Sequence, residues 1–112
     1  MAKLNVTAIA EDTVANPGNA TNSYIIVSVE DSNGAGVGGL VAANFTIGSE
    51  IVGPGGSTSS IASVSNGKLV GTYLLKIIPL AGQTWKAGYY IWSVAVTSGA
   101  NHGQCLCTCL MD

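Results

Sequence analysis

Apolar and polar residues alternate with a period of two along most of this chain, the spacing of half-buried β-strands. Leu4, Val6, Ala8 and Ala10 share one face of a first strand, with Asn5, Thr7 and Ile9 opposite. Residues 24–31 form a second strand. Ile25, Val27 and Val29 are its cleaner apolar set and are assigned inward, against Ile26, Ser28 and Glu30. Residues 44–48 read as a short third strand. Residues 60–65 and 68–78 flank Asn66-Gly67 as a hairpin. Residues 89–97 are the strongest strand, with Tyr90, Trp92, Val94 and Val96 on one face, and residues 104–111 close the chain. No stretch of ten residues carries helical periodicity.

Turn chemistry separates these segments. Pro17-Gly18 lies in a polar stretch at 13–22, Gly53-Pro54-Gly55-Gly56 breaks the middle of the chain, and residues 99–103 form a late turn. Asn-Gly accepts positive φ at both central turn positions, so Asn33-Gly34 and Asn66-Gly67 mark tight turns. A two-residue turn at Asn66-Gly67 sets Ser65 opposite Lys68, Val64 opposite Leu69 and Ala62 opposite Gly71. One face then carries Ala62, Val64, Leu69, Tyr73, Leu75 and Ile77. The other carries Ile61, Val70, Leu74 and Ile78 beside Lys68 and Lys76, and the two lysines assign it outward. The expectation is an all-β chain: one domain over residues 1–112, a single antiparallel β-sandwich of about seven strands, with less than one residue in ten helical.

Composition changes this picture at the surface. Apolar residues make up 47% of the 112 residues and charged residues only 9%, against ~25% in typical soluble domains. Arg is absent, and the four Lys stand apart at positions 3, 68, 76 and 86. With a net charge of −2 no basic stripe forms, which argues against nucleic acid and anionic membrane surfaces as partners. A weakly charged surface repels its own copies little, and that favours association. The N-terminus alternates rather than forming the continuous apolar core of a signal peptide. No apolar run reaches the ~18 residues of a membrane span, so membrane insertion is not expected.

Candidate chemistry is sparse. Gly34-x-Gly36-x-x-Gly39 has the form of a dinucleotide fingerprint. However, a helix should start there and an acid should follow ~20 residues on, whereas Phe45-Thr46-Ile47 returns to strand. The segment is expected to be a flexible connection. Cys105, Cys107 and Cys109, spaced by two, place three sulfurs on one strand face, with the only His at 102. A straight strand spreads such sulfurs by roughly 6.5 Å per two residues, too far for three to share one tetrahedral ion undistorted. Packing as small hydrophobes is the preferred reading, with intermolecular disulfides and a zinc site as the other two. His102, expected in a Gly-flanked turn, is the only imidazole available to a catalytic triad. Glu11-Asp12 and Glu30-Asp31 are neighbours whose side chains diverge on a strand. A calcium site at Asp31 has too few acids around it. Asn5, Asn19 and Asn44 stand in Asn-x-Thr sequons. Trp92 alternates with core valines, and Trp85, between Thr84 and Lys86, is the candidate for an exposed glycan-stacking aromatic.

Three glycine-bearing segments resemble a known family. Val29-x-Asp31-x-x-Gly34-x-x-Val37-x-Gly39 resembles the strand-B-to-C segment of bacterial immunoglobulin-like repeats in surface and adhesin proteins. Lys86-Ala87-Gly88-Tyr89-Tyr90 is similar to the lead-in to strand F of immunoglobulin-like domains, and Gly71-Thr72-Tyr73 to the Gly-x-Tyr that opens another strand. The resemblance covers residues 24–98. It implies an immunoglobulin-like sandwich in which Tyr90 is the corner tyrosine, bonding backbone a few residues upstream. It also implies roles in spacing, adhesion and assembly rather than catalysis. The resulting expectation is a non-enzymatic structural or assembly module without cofactor: a subunit or display domain of a filament, virion or cell-surface assembly. It would associate with itself or a larger particle through the face that carries Ile61, Val70, Leu74 and Ile78, or through the uncharged edge of the terminal strand at 104–111, which holds Leu106. A binding domain for glycan or metal is the alternative.

Overall fold

The period-two segments form strands in the computed structural model, which describes residues 3–11, 22–51, 59–79 and 82–111. These are β1 (Asn5–Glu11), β2 (Ser23–Glu30), β3 (Phe45–Ile51), β4 (Ser59–Asn66), β5 (Thr72–Pro79), β6 (Gly88–Ser98) and β7 (Asn101–Met111). The only helical element among the described residues is a single 3-10 turn at Ala42–Asn44. Strands in the order β1-β2-β5-β4 make one antiparallel sheet and β3-β6-β7 make the other. The all-β expectation is met at this level. The loops expected around Pro17-Gly18 and Gly53-Pro54 lie outside the described residues.

The inner faces of the two sheets share one core. Ile25, Val27 and Val29 of β2 and Tyr73, Leu75 and Ile77 of β5 meet Phe45 of β3, Tyr90, Trp92, Val94 and Val96 of β6, and Cys107 and Cys109 of β7. Fully burying side chains of this kind stabilises by roughly 1.5–3 kcal/mol each, and alternation along each strand leaves the polar partners in water. Trp85 corrects the sequence reading. It is 0% exposed, not a surface aromatic. Its ring lies edge-on to Tyr90 at 5.3 Å and to Trp92 at 6.3 Å. The loop before β6 folds back over the core, so a Trp flanked by Thr84 and Lys86 fills the open end of the sandwiched layers.

The β4–β5 hairpin is a second correction. Val64 lies opposite Leu75, not Leu69, and Asn66 opposite Tyr73. The connection is a longer loop through residues 67–71, closed by Gly67 N–H to Thr72 O at 2.7 Å and by the Thr72 hydroxyl to Leu69 O at 2.6 Å. The cause is close packing at Gly71. Its φ is +91°, and a Cβ there would lie 2.6 Å from Val29 O and 2.8 Å from Gly36 Cα. The strand therefore starts after this contact, at Thr72. Leu69 and Val70 are left in the loop, both strongly exposed. The slip is an even number of residues, so Tyr73, Leu75 and Ile77 keep their inward face. A register shift between Ile61 and Ser63 then leaves Ala62 exposed and turns Ile61 toward the core. Ile61 is thus not on the outer face.

The glycine-rich connection after β2 is held, not flexible. The Tyr73 hydroxyl donates to Val37 O at 2.6 Å and accepts from Leu40 N–H at 3.2 Å. Asp31 Oδ1 accepts from the backbone N–H groups of Asn33 and Ala35, closing the Asn33-Gly34 turn. Two residues, Gly99 and Ala100, join β6 to β7, with Ser98 opposite Asn101. His102 therefore stands on a strand and not in a turn. The Leu4 N–H donates to His102 O at 2.8 Å, a local parallel bridge that ties the start of β1 to β7.

Candidate functional site

β7 positions the three cysteines on its inner face. Cys107 and Cys109 are buried in the core and Cys105 is half-buried; none of the three is in a disulfide. Burial, reinforced by the neighbouring Cys105 and Cys109, pushes the Cys107 thiol up from 9.0 to about 11. The thiolate is the form that attacks and ligates, so Cys107 is held in its inert form at neutral pH. Among the described residues no three His, Cys, Asp or Glu side chains gather as a metal-holding group.

A concavity of about 640 Å³ lies beside the Lys3–His102 bridge and is lined by Thr97, His102, Gln104, Lys3 and the small residues Ala95 and Gly103. The Gln104 amide already donates to Ser93 Oγ at 2.6 Å. Thr97 and His102 stand opposite each other across β6 and β7 and both line this concavity. At the same end, Asn44 bonds Val41 N–H through Oδ1 and Thr97 O through its amide nitrogen, so this sequon residue staples the 3-10 turn to β6.

The outer surfaces are more distinctive. In the four-stranded sheet, Ile9 pairs with Ile26 and Ile26 with Leu74, giving an apolar row across three strands. Ile9 is 70% and Ile26 49% exposed. An open groove of about 440 Å³ continues from Ile26 and Leu74 to Leu69 in the β4–β5 loop. On the other sheet, Tyr89 and Leu106 are exposed, and neither β6 nor β7 contains Lys, Arg, Asp or Glu.

Ile61, Val70, Leu74 and Ile78, expected on one face, do not share it, and Leu106 stands on the separate terminal strand. Leu74 and Ile78 lie on the outer face of the four-stranded sheet, Val70 in the loop at its end and Leu106 on the opposite sheet, while Ile61 packs inward. Ile9 and Ile26 were missed. Each is a single apolar residue on a wet face, and only the cross-strand register joins them to Leu74. No family model, curated protein or solved structure matches this chain. No helix among the described residues is long and apolar enough to cross a membrane.

Proposed function

We propose that this chain is a non-enzymatic assembly module with an immunoglobulin-like β-sandwich of about seven strands, a subunit or display domain of a filament, virion or cell-surface assembly. The strand orders β1-β2-β5-β4 and β3-β6-β7 support the immunoglobulin likeness, since they follow the ABED and CFG arrangement of constant-type domains. The Tyr90 hydroxyl supports it too: it accepts the Lys86 N–H at 3.0 Å, as a corner tyrosine would.

The observation that carries the assembly reading is the row Ile9–Ile26–Leu74, exposed at Ile9 and Ile26 and half-buried at Leu74, on a chain with so few charges. Contiguous apolar patches beyond a few hundred Å² mark contact sites, and little charge repulsion opposes contact between copies. A partner face that covers this row gains the burial that a solitary domain forgoes. Sedimentation at micromolar concentration tests the reading. The parent chain should run larger than its 11.3 kDa monomer, and Leu74→Glu should shift it toward the monomer with its fold intact. A parent that stays monomeric at the highest soluble concentration, binding no larger particle, would end the assembly reading. The rival reading is a glycan- or metal-binding domain; Trp85, the residue that the glycan reading relied on, is buried.

A further inference from the structure

We infer that β7 pairs antiparallel with β7 of a second copy, about a two-fold axis through Cys107, joining two three-stranded sheets into one of six strands. This rests on the assembly reading and names its geometry.

β7 is an edge strand of its sheet. Its residues alternate between those whose backbone groups bond β6 and those whose backbone groups point away from it. His102 O accepts from Leu4 N–H, so position 102 points away from β6. The pairing to β6 is unbroken from Gly88–Met111 to Ser98–Asn101. Gln104, Leu106, Thr108 and Leu110 therefore present their N–H and C=O groups outward as well. β1 bonds β7 only at its start and then joins β2 in the other sheet. An open groove of about 500 Å³ follows. Ala8, Ile9 and Ala10 line one wall, and Leu106, Cys107, Thr108 and Ile91 the other.

Proteins usually guard such an edge with charge, Pro, a bulge or a covering element. β7 has no Lys, Arg, Asp, Glu or Pro, and its ladder has no register shift. An added strand satisfies the edge groups through main-chain bonds.

The occupant is set by self-complementarity. A strand without charge meets no like charge when turned antiparallel upon itself, whatever the register. Position 102 is already taken by Leu4, which leaves 104, 106, 108 and 110 among the described residues. Only the register centred on Cys107 uses all four, matching Gln104 with Leu110 and Leu106 with Thr108 of the second copy. Hydrogen-bonded antiparallel pairs exchange both their bonds, so every outward donor and acceptor of this set finds a partner. Leu106, 56% exposed, then lies over the seam.

The experiment reads amide hydrogen exchange in the parent chain at low and high protein concentration, with sedimentation alongside. The Leu106, Thr108 and Leu110 amides should become at least ten-fold more protected on association, while those of Cys107 and Cys109, which bond β6, change little. Thr108→Pro removes an outward donor and no β6 bond, and edge strands accept Pro there. It should weaken association at least ten-fold, whereas Thr108→Ala should match the parent. If the parent associates but these three amides stay unprotected, the β7 pairing is overturned while the assembly reading stands. If the parent does not self-associate, the β7 pairing is overturned, and if it also binds no larger particle, both fall. The exchange measurement decides even if Thr108→Pro fails to fold.

Discussion

Single side chains fix the architecture where the two sheets must be tied to their loops. Tyr73 and Tyr90 do this in parallel ways. Each ring is buried in the core while its hydroxyl reaches backbone, Tyr73 at Val37 and Leu40, Tyr90 at Lys86. Trp92 combines the same roles, stacking 5.8 Å from Tyr90 and donating its indole N–H to Ser59 Oγ at 2.8 Å. Removing it empties the largest cluster of aromatic volume. Trp92→Ala should cost ~3–5 kcal/mol by chemical denaturation, the range of large aromatic truncations; a loss under about 1 kcal/mol would mean the core is organised otherwise. Cys107 gives a pH signature. Its thiol in the folded chain holds its proton to about 11, against 9.0 for an ordinary thiol, chiefly because burial disfavours the thiolate. The folded state thus binds this proton more tightly than the unfolded one, and the associated stability is intact below pH 9 and lost as pH rises toward 11. Tyrosines and lysines titrate in the same window, so the readout is a difference. The unfolding free energy of the parent should fall more steeply between pH 9 and 11 than that of Cys107→Ala. Equal slopes would show that the buried thiol is not linked to folding.

At the scale of elements, what was legible in the sequence was periodicity, and what was not was register. Alternation placed Ile25, Val27, Val29, Tyr90, Trp92, Val94 and Val96 inward correctly. It could not see that Gly71 must slide under Val29 and Gly36, since that contact joins residues distant in sequence. Asn66-Gly67 carries strong turn chemistry, yet the tertiary contact overrode it and lengthened the loop. Trp85 failed for a related reason: nothing in its polar neighbours shows that the loop folds back over the core. Gly36 and Gly71 let two chain segments approach without side chains between them. Gly71→Ala should therefore destabilise by about 1–3 kcal/mol, the usual cost of forcing extra atoms into a packed site. Gly48→Ala, where a Cβ would meet nothing within 4 Å, should stay within about 0.5 kcal/mol of the parent. Matched denaturation midpoints for the two variants would remove the packing explanation of the hairpin register.

For the whole molecule, the quantity that matters most is how little charge it carries. Ten charged residues in 112 and a net charge of −2 leave the outer face of the four-stranded sheet with few charges, Lys76 and Glu30 among them, beside Ile, Leu, Tyr, Ser and Thr, and leave β6 and β7 with no Lys, Arg, Asp or Glu. This composition was readable from the sequence, but the surface it produces was not, because the register of β1, β2 and β5 decides which apolar residues line up. Two forces then remain to drive association: burial of the Ile9–Ile26–Leu74 row and main-chain bonding along β7. Neither depends on attraction between charges. Salt that screens exposed charges within ~10 Å at 0.1 M should therefore leave association intact. A salt excluded from protein surface, such as sulfate, should strengthen it by favouring burial. The check is sedimentation in rising sodium chloride and, separately, in rising sodium sulfate at constant protein concentration. The association constant should vary less than about three-fold from low to physiological sodium chloride, because surface charge pairs are the contacts that salt weakens, and it should rise with sulfate. Dissociation by moderate sodium chloride would mean that copies meet through charged residues such as Lys68, Lys76 or Glu30. The contact surface would then have to be sought around those charges rather than on the apolar row or the β7 edge.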